Sequence, residues 1–202
     1  MEKKLLQKQN VFNITFTAMM IALSVVFEYL TKVIPFLTMP NGGGISLSML
    51  PIAIAAVTCG WQYGLACGAI YGILNCFLID GYQFNLVSFI LDYIVAFAGI
   101  SVIAVFNKQI RAGKKMYFIY GFLIGLLIRL IASGFSGVIN AGVWGYDEAF
   151  LEGVFGAGKG SMIYLYIYSF IFYNLPYIAV SGGISIVIGL LTYKKILDIK
   201  KY

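Results

Sequence analysis

The chain has 202 residues, 61% of them hydrophobic and 11% charged, with a mean hydropathy of +0.91; so few charges do not keep a soluble domain of this size in solution, and the composition is that of an integral membrane protein. The excess of 14 Lys and Arg over 8 Asp and Glu does not describe a nucleic-acid footprint, because the cations gather at Lys3, Lys4 and Lys8, at Lys108, Arg111, Lys114 and Lys115, and at Lys194, Lys195, Lys200 and Lys201, flanking apolar runs as cytoplasmic loops do. Histidine is absent, which excludes mechanisms needing an imidazole base, relay or metal ligand, and Cys59, Cys67 and Cys76, odd in number and without CxxC spacing, indicate neither a disulfide framework nor a zinc site.

At about 20 residues per crossing, the apolar runs predict an all-α fold of six transmembrane helices at 11–36, 47–59, 61–79, 86–106, 116–144 and 161–192, forming one membrane domain over residues 1–202. The first run is too long for a signal-peptide core and lacks a small-x-small cleavage pattern, so it is expected to remain as a helix. Ala18 and Ala22 on this helix form a small-residue stripe that permits close approach of another helix, from the bundle or from a partner. The second helix is short, with Pro51 in its first turn, where a missing N–H is tolerated. Gly64, Gly68 and Gly72 give the third helix a flat face for close packing.

In the fourth run Asp92 stands inside an uncharged membrane-length segment, and an ionisable residue there marks a functional site by default. With Tyr93 beside it, a carboxylate and a phenol suit a cationic or polar aromatic ligand; the structural alternative is a carboxylate neutralised by a basic residue of another helix. Arg129, near the middle of the fifth helix, is the available cation. It is expected to balance Asp92 or Glu28, to cap carbonyls freed near Pro176, or to contact an anionic group. Pro176 predicts a kink in the sixth helix with a freed carbonyl around Phe172.

Two motifs fail on their chemistry. Gly153 to Gly160 approaches a phosphate-binding P-loop, but Gly160 follows Lys159 where Ser or Thr is required; a Gly-rich lid or linker is the expectation instead. Gly134-Phe135-Ser136-Gly137 looks like an intramembrane serine-protease motif, yet no histidine exists to take the serine proton. No enzyme activity and no catalytic residue is expected, and small residues for helix packing explain the second motif.

With the N-terminus inside, six crossings put eleven of the fourteen cations on the cytoplasmic side, so the positive-inside rule predicts N-in, C-in topology. The loops containing Asn41 to Gly44, Asp80-Gly81 and 147–159 then face outward. By helical rise, Glu28, Ser46, Ser48, Tyr71, Asn75, Asp92, Tyr93, Ser133, Ser136, Asn140, Tyr164, Tyr168, Tyr173 and Asn174 fall at overlapping depths. They predict a polar, aromatic-lined cavity open to the outside and closed to the cytoplasm.

Six helices in about 200 residues, Ala18-x-x-x-Ala22, the segment Asn41-Gly42-Gly43-Gly44-Ile45-Ser46-Leu47-Ser48-Met49-Leu50-Pro51-Ile52, and Leu91-Asp92-Tyr93-x-x-Ala96-Phe97 together resemble the S-component, the substrate-binding membrane subunit, of energy-coupling factor transporters. The likeness extends over the whole chain and is nearest the thiamine-specific type. It implies that Ala18 and Ala22 dock onto a transmembrane coupling protein driven by two ATPase subunits, so that ATP is used by the partners only and the chain carries no cofactor. Toppling in the lipid bilayer of a prokaryotic cell membrane would then deliver a small-molecule vitamin inward. Asp92 would oppose the thiazolium or bond the aminopyrimidine, Tyr93 and Tyr71 would contact rings, and Tyr173 and Asn174 would complete a pocket to which Ser133, Ser136, Asn140 and Tyr168 also contribute. Where the thiamine pattern has glutamate, histidine and tryptophan, this chain has Asp92, Ser133 and Ala141, and the Tyr168 to Asn174 spacing is one residue longer. An S-component for another vitamin or a pyrimidine precursor, and a self-contained secondary transporter, are the alternatives.

Overall fold

A computed structural model describes residues 2–40, 42–80 and 85–199, with the side chains of residues 2–6 and 80 left aside. Asn41 and Gly81, and the side chains of Lys3, Lys4, Asp80, Lys200 and Lys201 invoked above, lie outside the described residues.

The described residues are helical apart from loops and one isolated bridge between Thr38 and Gly44. Five helices are long and apolar enough to cross a membrane: α1 (Gln7–Val33, extended back to Glu2), α3 (Trp61–Ile79), α4 (Leu86–Arg111), α5 (Lys115–Ile139) and α8 (Met162–Leu191). The sixth apolar helix, α2 (Met49–Cys59), is shorter; its 11 residues rise about 16 Å. Short helices α6 (Ala141–Trp144), α7 (Glu148–Phe155) and α9 (Tyr193–Asp198), with a 3-10 turn over Pro35–Leu37, complete the described set. The first helix ends at Val33 rather than at 36, because Ile34 precedes Pro35 in extended backbone, as a residue before proline prefers. The fifth ends at Ile139, and the fourth runs five residues past Phe106 to Arg111.

The shortest of the apolar helices is the most enclosed. Every residue of α2 except Ile54 is buried, because α2 packs against α1, α3, α4 and α8 together. Around it, α3 lies on α4, α4 on α5, and α5 on α8, which places the main core among Ile52, Phe97, Ile100, Phe118, Phe122 and Ile178. The glycine stripe of α3 faces α4: a Cβ on Gly72 would run into the Tyr93 carbonyl oxygen, and one on Gly68 would lie 2.5 Å from that of Phe97. Only glycine admits a backbone at that distance.

At the end of the bundle carrying Lys108, Lys114 and Lys194, side chains close the helix termini. Arg111 donates to the Val57 and Thr58 carbonyls at 2.9 Å, Asn107 donates to the Ala56 carbonyl at 3.1 Å, and the Tyr193 hydroxyl donates to the Ile110 carbonyl. These bonds satisfy carbonyls that the end of a helix leaves open.

At the opposite end three helices widen into π-helical turns: α3 over Asn75–Asp80, α4 over Phe89–Val95 and α8 over Tyr168–Asn174. In α8 the wide turn runs up to Leu175 and Pro176, which open a renewed α-helix. The expected break at Pro176 thus takes the form of a π turn, after which the ring sits where no helical N–H is needed. The glycine-rich stretch after Gly153 is partly helical, since α7 includes Gly153, Val154 and Phe155. Asp147 caps α7 by accepting from the Phe150 N–H at 2.8 Å, and Gly156, at φ +101°, ends it.

Candidate ligand-binding site

The three π turns face one cavity. Asn75 of α3, Asp92 and Tyr93 of α4, and Ser169, Tyr173 and Asn174 of α8 all line it and all stand in π-helical backbone. A π turn inserts a residue into the helical repeat and rotates the following side chains, which is how helices otherwise packed by apolar faces turn polar groups toward a common space. The cavity holds about 830 Å³ of empty space, its mouth included.

Asp92 is half-buried, and its Oδ2 accepts from the Ser88 hydroxyl at 2.8 Å and from the Ser136 hydroxyl. Donors on a carboxylate stabilise its charge, and the second oxygen of Asp92 takes no part in those two bonds. Ser136 is positioned in turn by Asn140, whose amide nitrogen donates to the Ser136 carbonyl at 2.8 Å and is joined through its Oδ1 to Asn85, the N-cap of α4. Ser136 and Asn140 therefore stand behind Asp92 and do not line the cavity.

The predicted residues divide accordingly. Asp92, Tyr93, Ser133, Tyr173 and Asn174 line the cavity. Tyr71 does not: it is fully buried, its ring meets the edge of Phe97 with centroids 4.7 Å apart, and its hydroxyl donates to Glu28 Oε2 at 3.0 Å. Tyr168 also stands back, supporting the lining rings of Tyr146 and Tyr173 with centroids 4.9 and 6.3 Å away. Asn174 is braced by its own helix, donating to the Ser169 carbonyl at 2.8 Å and accepting from the Tyr177 hydroxyl at 2.7 Å.

Arg129 enters the same cavity as Asp92 and Glu28, but its guanidinium lies over ring faces, 4.5 Å from the centroid of Phe97 and 5.8 Å from that of Tyr177. Such stacking stabilises a cation where water is scarce. Its Nε has no hydrogen-bond partner.

Sequence reasoning passed over Tyr146 and Tyr177, both cavity-lining. Tyr177 lay in the run after Pro176, where only a kink was expected; Tyr146 lay just past the predicted end of the fifth helix at 144. Trp144 also lines the cavity, three residues after Ala141, so an indole reaches the site from the following turn. Gly42 and Gly43, at φ +96° and +81°, bring the loop after α1 onto α8. The Tyr173 hydroxyl donates to the Gly42 carbonyl at 3.0 Å, and a Cβ on Gly43 would lie 2.9 Å from the Tyr177 ring.

Comparison with known proteins gives the family. Residues 14–201 match the model of a family described as thiamine transporter protein (Thia_YuaJ). The chain belongs to the thiamine transporter protein family. It is 28% identical over 172 residues to thiamine transporter ThiT of Bacillus subtilis (strain 168), covering 81% of each chain. The solved structure of ThiT from Listeria monocytogenes shares the fold, with a TM-score of 0.61 at 22% identity, over 89% of this chain and 97% of that one. The family places the cavity in a multi-pass membrane transporter, and the resemblance drawn from the Ala18, Ile45-Ser46-Leu47 and Asp92-Tyr93 segments leads to the same family.

Proposed function

We propose that the chain is the substrate-binding S-component of an energy-coupling factor importer and that it captures thiamine or a thiamine-related compound. What carries the reading is one juxtaposition: Asp92, held by two serine hydroxyls, shares a cavity with the rings of Tyr93, Trp144 and Tyr173 in a chain of the thiamine transporter family. A carboxylate opposes a heteroaromatic cation, ring faces attract it, and a concave site excludes water from both. Ser133 and Asn174 add polar wall, while Tyr71, Ser136, Asn140 and Tyr168 act by holding residues that line it.

In this reading the chain is one six-helix membrane domain with both termini in the cytoplasm of a prokaryotic cell, supported by the cation clusters. The cavity opens outward. Ala18 and Ala22 are exposed on α1 beside Met19 and Leu23, also exposed, a surface suited to close helix contact with a transmembrane coupling protein. Two ATPase subunits supply the energy, and the chain needs no cofactor. The experiment is paired binding and uptake: purified protein binds thiamine without moving it into liposomes, and Ala18→Trp with Ala22→Trp leaves binding intact while uptake by the assembled importer is lost. Unaided transport in liposomes would instead identify a secondary transporter. Wild-type uptake by the double variant would remove α1 from the coupling surface.

Ser133 and Ala141, small where the thiamine pattern has rings, favour a second reading in which the ligand is a pyrimidine precursor or another vitamin. Mass spectrometry of the ligand that co-purifies with the protein separates the two.

A further inference from the structure

The end of the bundle opposite the cavity has a surface that the proposed function leaves unused. Three helices carry exposed apolar faces up to it and then turn to lysine. On α5 the exposed Leu127, Leu123, Tyr120 and Met116 lead to the exposed Lys115. On α4 the exposed Val105 is followed one turn later by the exposed Lys108, and on α8 Val187 and Leu191, the latter 81% exposed, give way to the exposed Lys194 and Lys195 of α9. Outward apolar faces on membrane-length helices meet acyl chains. Tyr120 stands at their edge, its ring 6.1 Å from that of Tyr117, and tyrosine rings collect at the level of the lipid headgroups. Lys115 lies five residues before Tyr120, about 7.5 Å farther out by helical rise, which is where lipid phosphates begin.

The lysines of separate segments are gathered by tertiary contacts. The Tyr193 hydroxyl donates to the Ile110 carbonyl, and the Tyr193 ring meets that of Phe118 edge-on with centroids 6.3 Å apart. The start of α9, the end of α4 and the first turn of α5 therefore share one junction. Lys194 adjoins Tyr193, Lys108 lies two residues before Ile110, and Lys115 lies three before Phe118. Arg111 is committed elsewhere, to the Val57 and Thr58 carbonyls. Segments 105–120 and 191–199 contain one acidic residue, Asp198. Topology asks for cations on one side of a membrane without fixing where they meet, and Lys115 opens α5, where a cation opposes the helix dipole. Neither topology nor helix stability accounts for lysines brought together in this way.

We infer that this end of the bundle binds anionic phospholipid, with the phosphodiester headgroup on Lys108, Lys115, Lys194 and Lys195 and an acyl chain along the exposed face of α5. Basic pockets between transmembrane helices take such headgroups. The occupant is a lipid and not a soluble anion because the apolar face runs without a break into the lysines. A lipid seated here ties α9 to α4 and α5. The inference holds whichever vitamin the cavity takes and whichever way the chain is inserted, since vesicles of uniform composition offer the same lipid on both faces.

The test is quenching of tryptophan fluorescence by brominated lipid, using the full chain in vesicles of phosphatidylglycerol and phosphatidylcholine with one or the other brominated. Trp144→Phe leaves Trp61 as the sole tryptophan; it is 59% exposed and lies three residues after Thr58, whose carbonyl Arg111 holds. The expected result is a preference for phosphatidylglycerol of about fivefold, equivalent to about 1 kcal/mol. Replacing the four lysines by glutamine should abolish the preference, replacing them by arginine should keep it, and Lys159→Gln at the opposite end should change nothing. Helical circular dichroism of the same vesicles identifies variants that have kept their fold, and the pairs Lys108→Gln with Lys115→Gln and Lys194→Gln with Lys195→Gln, each expected to lose part of the preference, serve if the fourfold variant has not. Equal quenching by the two lipids in the parent protein overturns the inference. So does a preference that survives the glutamine variants, one that is lost equally in the arginine variant, or one that added inorganic phosphate removes, which would identify a site for soluble anions.

Discussion

At the end of the bundle that carries Lys108, Lys114 and Lys194, helix termini are closed by Arg111, Asn107 and the Tyr193 hydroxyl, and the rings of Phe118 and Phe122 fill the space between α5 and its neighbours. At the opposite end three helices leave regular geometry for π turns, glycines at positive φ carry the loop after α1 across, and the buried side chains include Glu28, Asn75, Arg129, Ser133 and Asn174. One end is sealed by apolar packing and satisfied carbonyls; the other opens into a cavity lined by polar groups, Asn75 and Arg129 among them. The contrast teaches that a chain this apolar makes a polar site by changing helical pitch locally, without adding a soluble domain.

Substitutions at the two ends should accordingly separate stability from ligand affinity. The largest effect is expected from Phe118→Ala, because the ring is fully buried and truncating it leaves a void: a stability loss of about 3 kcal/mol, read by melting in detergent, with the thiamine affinity of the folded protein unchanged. A matching fall in affinity would show that the two ends are not independent. Gly72→Ala stands at the junction, where the new methyl meets the Tyr93 carbonyl; overpacking should cost about 2 kcal/mol and, by displacing Tyr93, weaken thiamine as well. A variant that melts like wild type would mean α3 and α4 can separate freely.

Smaller effects are expected within the site. Ser136→Ala removes one of the two hydroxyls on Asp92 Oδ2 and should weaken thiamine by about 1.5 kcal/mol, the lower range for a hydrogen bond to a charged group, with little change in the ligand-free melting temperature. Tyr93→Phe should cost least, about 1 kcal/mol of affinity, because the ring remains. If Tyr93→Phe exceeds Ser136→Ala, the phenol and not the carboxylate orients the ligand.

Much of this architecture was readable from residue types. Hydropathy located the long helices, Gly64, Gly68 and Gly72 announced a close contact, and Asp92 identified the cavity end because a charge in an apolar run needs a polar surrounding. The shortness of α2 was legible, but its central position was not, since enclosure on all sides depends on where four other helices lie. The π turns left no periodic trace: a single inserted residue in an all-apolar helix changes no local pattern. The whole Tyr168 to Asn174 segment falls within such a turn, which widens the helix without ending it. Tyr71 was expected at the ligand because its depth was right; its direction, toward Glu28 and Phe97, depends on contacts across helices. Helix α7 had a signal that was passed over, Asp147 followed by Glu148 with Gly156 beyond the end.

The central claim is that Asp92 holds charge for a cationic ligand and does not serve only to neutralise Arg129. Titrating thiamine against Asp92→Asn, and against Asp92→Asn combined with Arg129→Gln, tests it directly when ligand-free melting is measured on the same samples. The predicted result is a loss of about 2–5 kcal/mol of thiamine affinity in Asp92→Asn, not restored in the double variant, with a modest change in melting temperature. Unchanged affinity in Asp92→Asn, with ligand-free stability lost and then regained when Arg129 is also replaced, would assign the carboxylate to architecture and contradict the account.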